Sequence, residues 1–305
     1  MSAPEGFRCA TAARDRVDPV HATAPPSDRL FLVEVPGPWG RTALTDSRLD
    51  RYASGRLADR AQAAGVRVLL VRRPARRSGP PASAVRRWAL ADTRPGREVV
   101  RWGSWEHEHE LLEVDLEPPD QPPEPDGPQQ LALVCAHGRH DVCCALRGRP
   151  VAFALEASAP DWDVWECSHL GGDRFAANVL LVPTGDLFGS LDPVSAVATI
   201  RAYDEGRLLP GHHRGRIGRP MVEQAALHHA ALALDEDRRD ALQVLHTAGA
   251  DDVWTVDLVA AGRRFRVRVA GHWSAPAQLT CAAGHAERVR RFDLLSIEDA
   301  GPAPA

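Results

Sequence analysis

The chain has 305 residues, 26% of them charged and 44% hydrophobic, with 41 acidic side chains against 37 basic ones, every one of those an arginine. That much apolar matter builds about two domains with real cores, which excludes disorder along the whole length. The formal net charge of -4 supplies no basic field, so nucleic acid is not an expected partner.

The opening MSAPEGFRCATAARDRVDP is polar and charged, unlike a secretory leader. The most apolar runs, VRVLLV (66–71) and NVLLVP (178–183), fall far short of the ~18 residues a membrane span needs. A soluble, cytoplasmic protein with no membrane partner is expected. LFLVEV (30–35) reads as a buried strand, PGPWG (36–40) as a turn and 46–65 as a helix. VRVLLVRR, AVRRWALAD and REVVRWGSW follow as strands, making an N-terminal α/β domain over 1–117. EPPDQPPEPDGP (117–128), with six prolines and four acids, has few backbone donors and no apolar stripe. It predicts an extended linker over 118–128.

Beyond it, QLALVCAH (130–137) reads as a strand running into a loop, 143–159 as a helix, VWECSH (164–169) as a short strand and GGDR as a turn. FAANVLLVP (175–183) reads as a buried strand and 193–206 as a helix ending at Gly206. Strand, helix, strand, strand and helix in that order predict a thioredoxin-like layer over 129–210. The first unit has a comparable order, so two related halves are expected without a visible sequence repeat. In the remaining extension, 211–305, the helical period dominates 221–249, a hairpin turns at Gly262 within 253–271, and AGPAPA reads as a frayed tail. The predicted class is therefore α/β: a thioredoxin-like domain preceded by a second α/β domain of possible like fold, with a C-terminal helix and β-hairpin extension.

Four of the six cysteines, Cys135, Cys143, Cys144 and Cys167, fall in one stretch, within CAHGRHDVCC (135–144) and WECSHLGGDRFAAN (165–178). In a reducing compartment such clusters are metal-binding or catalytic more often than disulfide-forming. Cys9 and Cys281 have no cysteine neighbours and read as small buried hydrophobes. Structural zinc favours two close Cys-x2-to-4-Cys pairs, and that spacing does not occur twice. Thiol-disulfide exchange wants Cys-x-x-Cys at a helix start, which the adjacent pair Cys143 and Cys144 replaces poorly. An iron-sulfur cluster tolerates wider spacings, and Cys135 and Cys144 suit it.

CAHGRHDVCCALRGRPVAFAL and ECSHLGGDRFAANVLLVPTGDLFG resemble the signature segments of the sucrase/ferredoxin-like family, whose members are similar to thioredoxin-like 2Fe-2S ferredoxins. The likeness is specific from Cys135 to Gly189. It implies a 2Fe-2S cluster on two cysteines at the positions of Cys135 and Cys144 and on a His-x3-His pair, of which His169 is the first member and Asp173 stands at the second. A carboxylate is a rare ligand there. Cys167 lies two residues before His169, and the period of two along a strand would point both to one face. The expected set is thus Cys135, Cys144, Cys167 and His169, with Cys143 as fallback thiolate and Asp173 as fallback ligand or as partner to the His169 ring. An imidazole in place of thiolate raises the cluster potential, and Gly171 and Gly172 would let the backbone approach the cofactor.

Among other features, His137 and His140 read as loop residues near the cluster, and Arg139 and Arg147 as groups facing an acidic redox partner. HEHE (107–110) would place His107 and His109 on one face of a strand. GHHRGRIGRP (211–220) is either an anion-docking patch or a surface connection, and His228 and His229 on a helix make a poor shared site. The eight tryptophans read as core or interface aromatics. No P-loop, G-x-S-x-G or His-Glu-x-x-His motif occurs, nor a local carboxylate pair for glycoside hydrolysis. The expectation is an electron-transfer or redox-sensing protein, more carrier than catalyst, working with an unidentified reductase or oxygenase. A metal-free thiol oxidoreductase using Cys143 or Cys144 and a structural zinc module are the competing readings.

Overall fold

The computed structural model describes residues 6–74, 85–117 and 127–303. In chain order the elements are α1 (Cys9–Asp15), β1 (Arg29–Glu34), α2 (Arg51–Ala63), β2 (Arg67–Arg72), β3 (Arg86–Asp92) and β4 (Val99–Trp105). Then come β5 (Leu131–Cys135), α3 (Val142–Ser158), β6 (Asp163–Cys167), β7 (Val179–Val182), β8 (Asp186–Phe188), α4 (Pro193–Asp204) and β9 (His213–Arg216). The chain closes with α5 (Met221–Ala233), β10 (Gln243–Ala250), β11 (Val253–Ala260), β12 (Arg263–Trp273) and β13 (Arg290–Pro302). Most of the predicted linker, 118–126, lies outside the described residues.

Among the described residues nine strands form one sheet, in the order β4-β3-β1-β2-β6-β5-β7-β8-β9. In each half the first two strands are parallel and joined by a helix, β1 with β2 through α2 and β5 with β6 through α3. The third strand then pairs antiparallel with the first and the fourth with the third. Both halves therefore read 4-3-1-2 in strand order. They meet where β2 pairs antiparallel with β6, through Val71 opposite Cys167 and Arg72 opposite Glu166. Arg72 seals this seam, donating to Glu166 at 2.8 Å and to the Gly37 carbonyl at 2.6 Å while lying over the Trp39 ring.

The central strands are apolar on both faces because both are covered. Along β1, Phe31 and Val33 pack under α2 with Leu57, whereas Leu30 and Leu32 face the α1 side. Along β5, Ala132 and Val134 meet Val151 and Leu155 of α3, whereas Leu131, Leu133 and Cys135 face the α1 side with Cys9 and Ala10. The strand period of two thus decides which core Cys135 enters. Each of these fully buried leucines and valines contributes about 1.5–3 kcal/mol of transfer free energy.

The last four strands form a separate antiparallel sheet, β10-β11-β12-β13, against which α5 packs through Ala226 and Ala230. Four expectations are corrected here. The helix predicted over 221–249 stops at Ala233, and Gln243–Ala250 is strand β10; DEDRRD (235–240) has no apolar stripe to hold a helix on a core. The HEHE segment is a short 3-10 helix, Glu108–Leu112, whose Leu111 is buried. AGPAPA is not all frayed, since β13 runs to Pro302. GHHRGRIGRP is no loose connection, because it supplies β9 at the sheet edge.

Candidate metal centre

Three elements bring Cys135, Cys144 and His169 to one point: the end of β5, the first turn of α3 and the loop after β6. Their ligand atoms all lie within 4.8 Å of one another, and the ligand atoms of His140, His169 and Asp173 form an adjoining group of the same compactness. The local chain explains the convergence. Cys135 donates its N–H to the Asn178 carbonyl, and Ala136 donates to the Cys167 carbonyl, so strand β5 is held to its end. The chain then turns through His137–Asp141 into α3, where the Asp141 carboxylate caps the helix by accepting from the Cys143 N–H at 2.8 Å. Gly148 lets this helix lie on the turn, because a Cβ there would overlap the Cys135 carbonyl.

Opposite, Gly172 adopts a left-handed conformation, φ 73°, and starts the short 3-10 helix Asp173–Phe175. Buried Asn178 donates to the Gly172 carbonyl at 3.1 Å. The buried Arg214 guanidinium donates to Asn178 Oδ1 and to the Gly171 carbonyl, each at 2.8 Å. Burial, with Arg174 nearby, pushes Arg214 down to about 9. Arg67 donates to the His169 carbonyl at 2.7 Å, and its charge faces Cys135 and Cys167. Buried Arg214 and half-buried Arg67 thus place positive charge beside the centre.

Within it, the neighbouring Cys144 thiol holds Cys135 well below the usual thiol range, against the cost of burial, with His169 and the Leu170 N–H adding to the effect. Cys144 is raised by Cys135 in turn. Its thiol donates to Asp173 Oδ1 at 3.1 Å. Burial disfavours charge on His169, yet Asp173 and Cys135 push its pKa up to about 9. Asp173, likewise working against burial, is held below the ordinary carboxylate range by His169, Cys144 and His140. His169 Nδ1 stands 2.9 Å from Asp173 Oδ1. It is buried and makes no hydrogen bond of acceptable direction, so that contact is charge against charge. The His140 ring lies 3.8 Å from that of His169, centroid to centroid.

Cys167 stands opposite Cys135 in the parallel β5–β6 register and faces the same core, but it joins neither group. The expectation that Cys167 and His169 share a strand face does not hold, because β6 ends at Cys167 and the chain turns before His169. His137 is buried, with its Nε2 2.6 Å from the Gly40 carbonyl, rather than lying in a solvated loop. Arg139 is exposed beside the centre, and Arg147 donates to Thr11. The arginines of 211–220 are engaged: Arg214 as above, Arg216 with Asp186 and Asp240, and Arg219 with Glu223.

Cys143 points the other way from its neighbour. With Cys9, Cys281 and Asp141 it forms another compact group, which sequence spacing had divided among bystanders and a fallback ligand. The hydrogen bond from Cys9 lowers Cys143 to about 6, and burial pushes Cys281 up to about 12.

A mixed α/β protein with buried cysteine and histidine groups able to hold metal is the class these features define. Residues 20–215 match the sucrase/ferredoxin-like family model, and the chain belongs to that family. No curated protein and no solved structure matches it. Among the described residues no helix is long and apolar enough to cross a membrane.

Proposed function

We propose that the protein is an electron carrier or redox sensor holding one 2Fe-2S cluster on Cys135, Cys144 and His169, with Asp173 completing the set. The observation that carries this reading is the convergence of two thiols and one imidazole from three elements on a buried point, with Asp173 against it. The donor set suits the group. Thiolates and imidazoles are iron-sulfur ligands, the Cys135 thiol is held below its usual range by Cys144, and His169 Nδ1 is a buried nitrogen without a hydrogen bond. Asp173 replaces Cys167 as the fourth group because Cys167 stands outside the converging atoms. The repeated 4-3-1-2 strand order supports reading each half as a thioredoxin-like unit.

When bound, the cluster supplies one-electron chemistry. The chain orients its ligands through the Asn178 and Arg214 bonds and excludes water by burying both sulfurs. The half-buried edges of His140 and His169 offer an exit toward a partner reductase or oxygenase, with Arg139 available to an acidic surface. Protein purified without oxygen should be brown, with about two irons and two acid-labile sulfides per chain and an EPR signal on one-electron reduction. Colourless, iron-free protein from iron-replete cells would refute the reading, and one zinc on the same residues would replace it.

A further inference from the structure

Cys9 begins α1, Cys143 lies in the first turn of α3, and Cys281 belongs to the loop between β12 and β13. Their sulfurs meet: Cys143 Sγ is 3.4 Å from Cys281 Sγ, and Cys9 Sγ is 3.6 Å from it. Cys9 Sγ also stands 3.6 Å and 3.5 Å from the two oxygens of Asp141. Ligands on a tetrahedral zinc, with Zn–S about 2.3 Å, sit about 3.8 Å apart along the edges of the tetrahedron. The pairs just given lie near that spacing and the whole set within 4.8 Å, with no covalent bond among them.

The carboxylate is held for the purpose. Asp141 accepts from the Cys143 N–H at 2.8 Å and the Cys281 N–H at 2.6 Å, which fixes its plane against the sulfurs. Cys9 and Asp141 are buried and Cys143 is only 1% exposed. A thiol so covered meets no protein substrate, which argues against a catalytic cysteine. Two buried thiols, the half-buried Cys281 thiol and a buried acid grouped together call for a cation, and soft sulfur ligands in a tetrahedron select zinc among the divalent ions.

We propose that Cys9, Cys143 and Cys281, with Asp141 as fourth ligand, form a structural zinc site distinct from the Cys135 centre. The site joins the N-terminal helix, the start of α3 and the C-terminal sheet through one ion. It does not rest on the identity of the group at Cys135, since the two sites share no ligand.

The test is metal analysis of the full chain purified anaerobically from cells supplied with both iron and zinc, alongside Cys281→Ser, Cys9→Ser and Cys135→Ser. About one zinc per chain is expected, lost in the first two variants with iron retained, and kept in Cys135→Ser with iron lost. Cobalt(II) added to chelator-treated wild-type protein should give a thiolate charge-transfer band. A second measurement needs no variant: alkylation of Cys9, Cys143 and Cys281 should accelerate together when zinc is stripped. Zinc-free wild-type protein without a cobalt band would overturn the proposal. So would zinc retained in the Cys9→Ser, Cys281→Ser double variant, or a Cys143–Cys281 disulfide in the anaerobic protein.

Discussion

Cys143 and Cys144 are chain neighbours whose sulfurs serve different groups: Cys144 donates to Asp173 at 3.1 Å, while Cys143 lies 3.4 Å from Cys281. Successive residues on a helix project about 100° apart, so one turn of α3 faces two sites. Cys144→Ser should abolish the visible absorbance of the cluster, whereas Cys143→Ser should leave it and remove zinc. Paired iron and zinc determinations on the two variants check this, and identical losses in both would contradict it.

In the proposed cluster Asp173 stands where the family resemblance implies a second histidine, and its carboxylate carries a charge that an imidazole would not. Asp173→His should keep the cluster and raise its midpoint potential, on the order of 100 mV, because neutral ligands favour the reduced state. Asp173→Ala should lower cluster content severalfold. Spectropotentiometry reads the first, iron content the second. An unchanged potential in Asp173→His would remove Asp173 from the ligand set.

Gly148 permits α3 to touch the end of β5, and a methyl group there would overlap the Cys135 carbonyl. Gly148→Ala should destabilise the fold by about 1–3 kcal/mol despite the better helix propensity of alanine. It should also reduce metal loading at Cys135. Urea denaturation, with iron content measured on the same samples, tests both effects.

The acid limb of stability should carry the signature of His21 and His228, whose rings stack at 4.0 Å beside His229. Burial lowers His228 to about 3 and His21 to about 4; the neighbouring His229 lowers both, Arg291 lowers His21 further, and Asp293 opposes that at His21. Folded pKa values below the unfolded 6.5 mean that the unfolded chain binds protons first. The stability contributed by the neutral rings is full above pH 6.5 and is lost as pH falls from there toward 3. The urea midpoint should drop across that window, and His228→Phe should flatten the drop. An equal slope in that variant would locate the effect elsewhere.

Asp186 is fully buried and accepts from Tyr203 at 2.7 Å, with His213 at 2.9 Å and Arg216 at 3.2 Å. Although burial opposes its charge, Arg216 and His213 hold its carboxyl well below the usual range. Asp186→Ala leaves Arg216 without its buried partner and should cost about 3–5 kcal/mol. Calorimetry of the purified variant measures this. A loss under 1 kcal/mol would mean that Asp240, also bound to Arg216, suffices alone.

The convergence of Cys135, Cys144 and His169 was legible in the sequence because the three are local: they fall on consecutive elements, with their spacing set by one β-α-β unit. The repeated order of strands was legible for the same reason. Cys9 and Cys281 were not, since they meet Cys143 only through tertiary packing across most of the chain. Strand β10 was missed because it is almost wholly exposed, so it lacks the alternation that marks a half-buried strand. The pairing of Cys167 with His169 failed at a strand end, where a periodicity argument has no further hold.

The backbone N–H of Cys9 lies 3.4 Å from the sulfur of Cys281, across a separation of 272 positions. In polymer terms, the zinc proposed there would clasp the chain into a ring through residues 9–281. Such a clasp, where it persists on unfolding, would remove about 6 kcal/mol of entropy from the unfolded chain, more than a clasp between near neighbours would. A ring also survives a single cut: cleavage at any one peptide bond between the two residues leaves both pieces fastened, and only a second cut or removal of the clasp lets a fragment go.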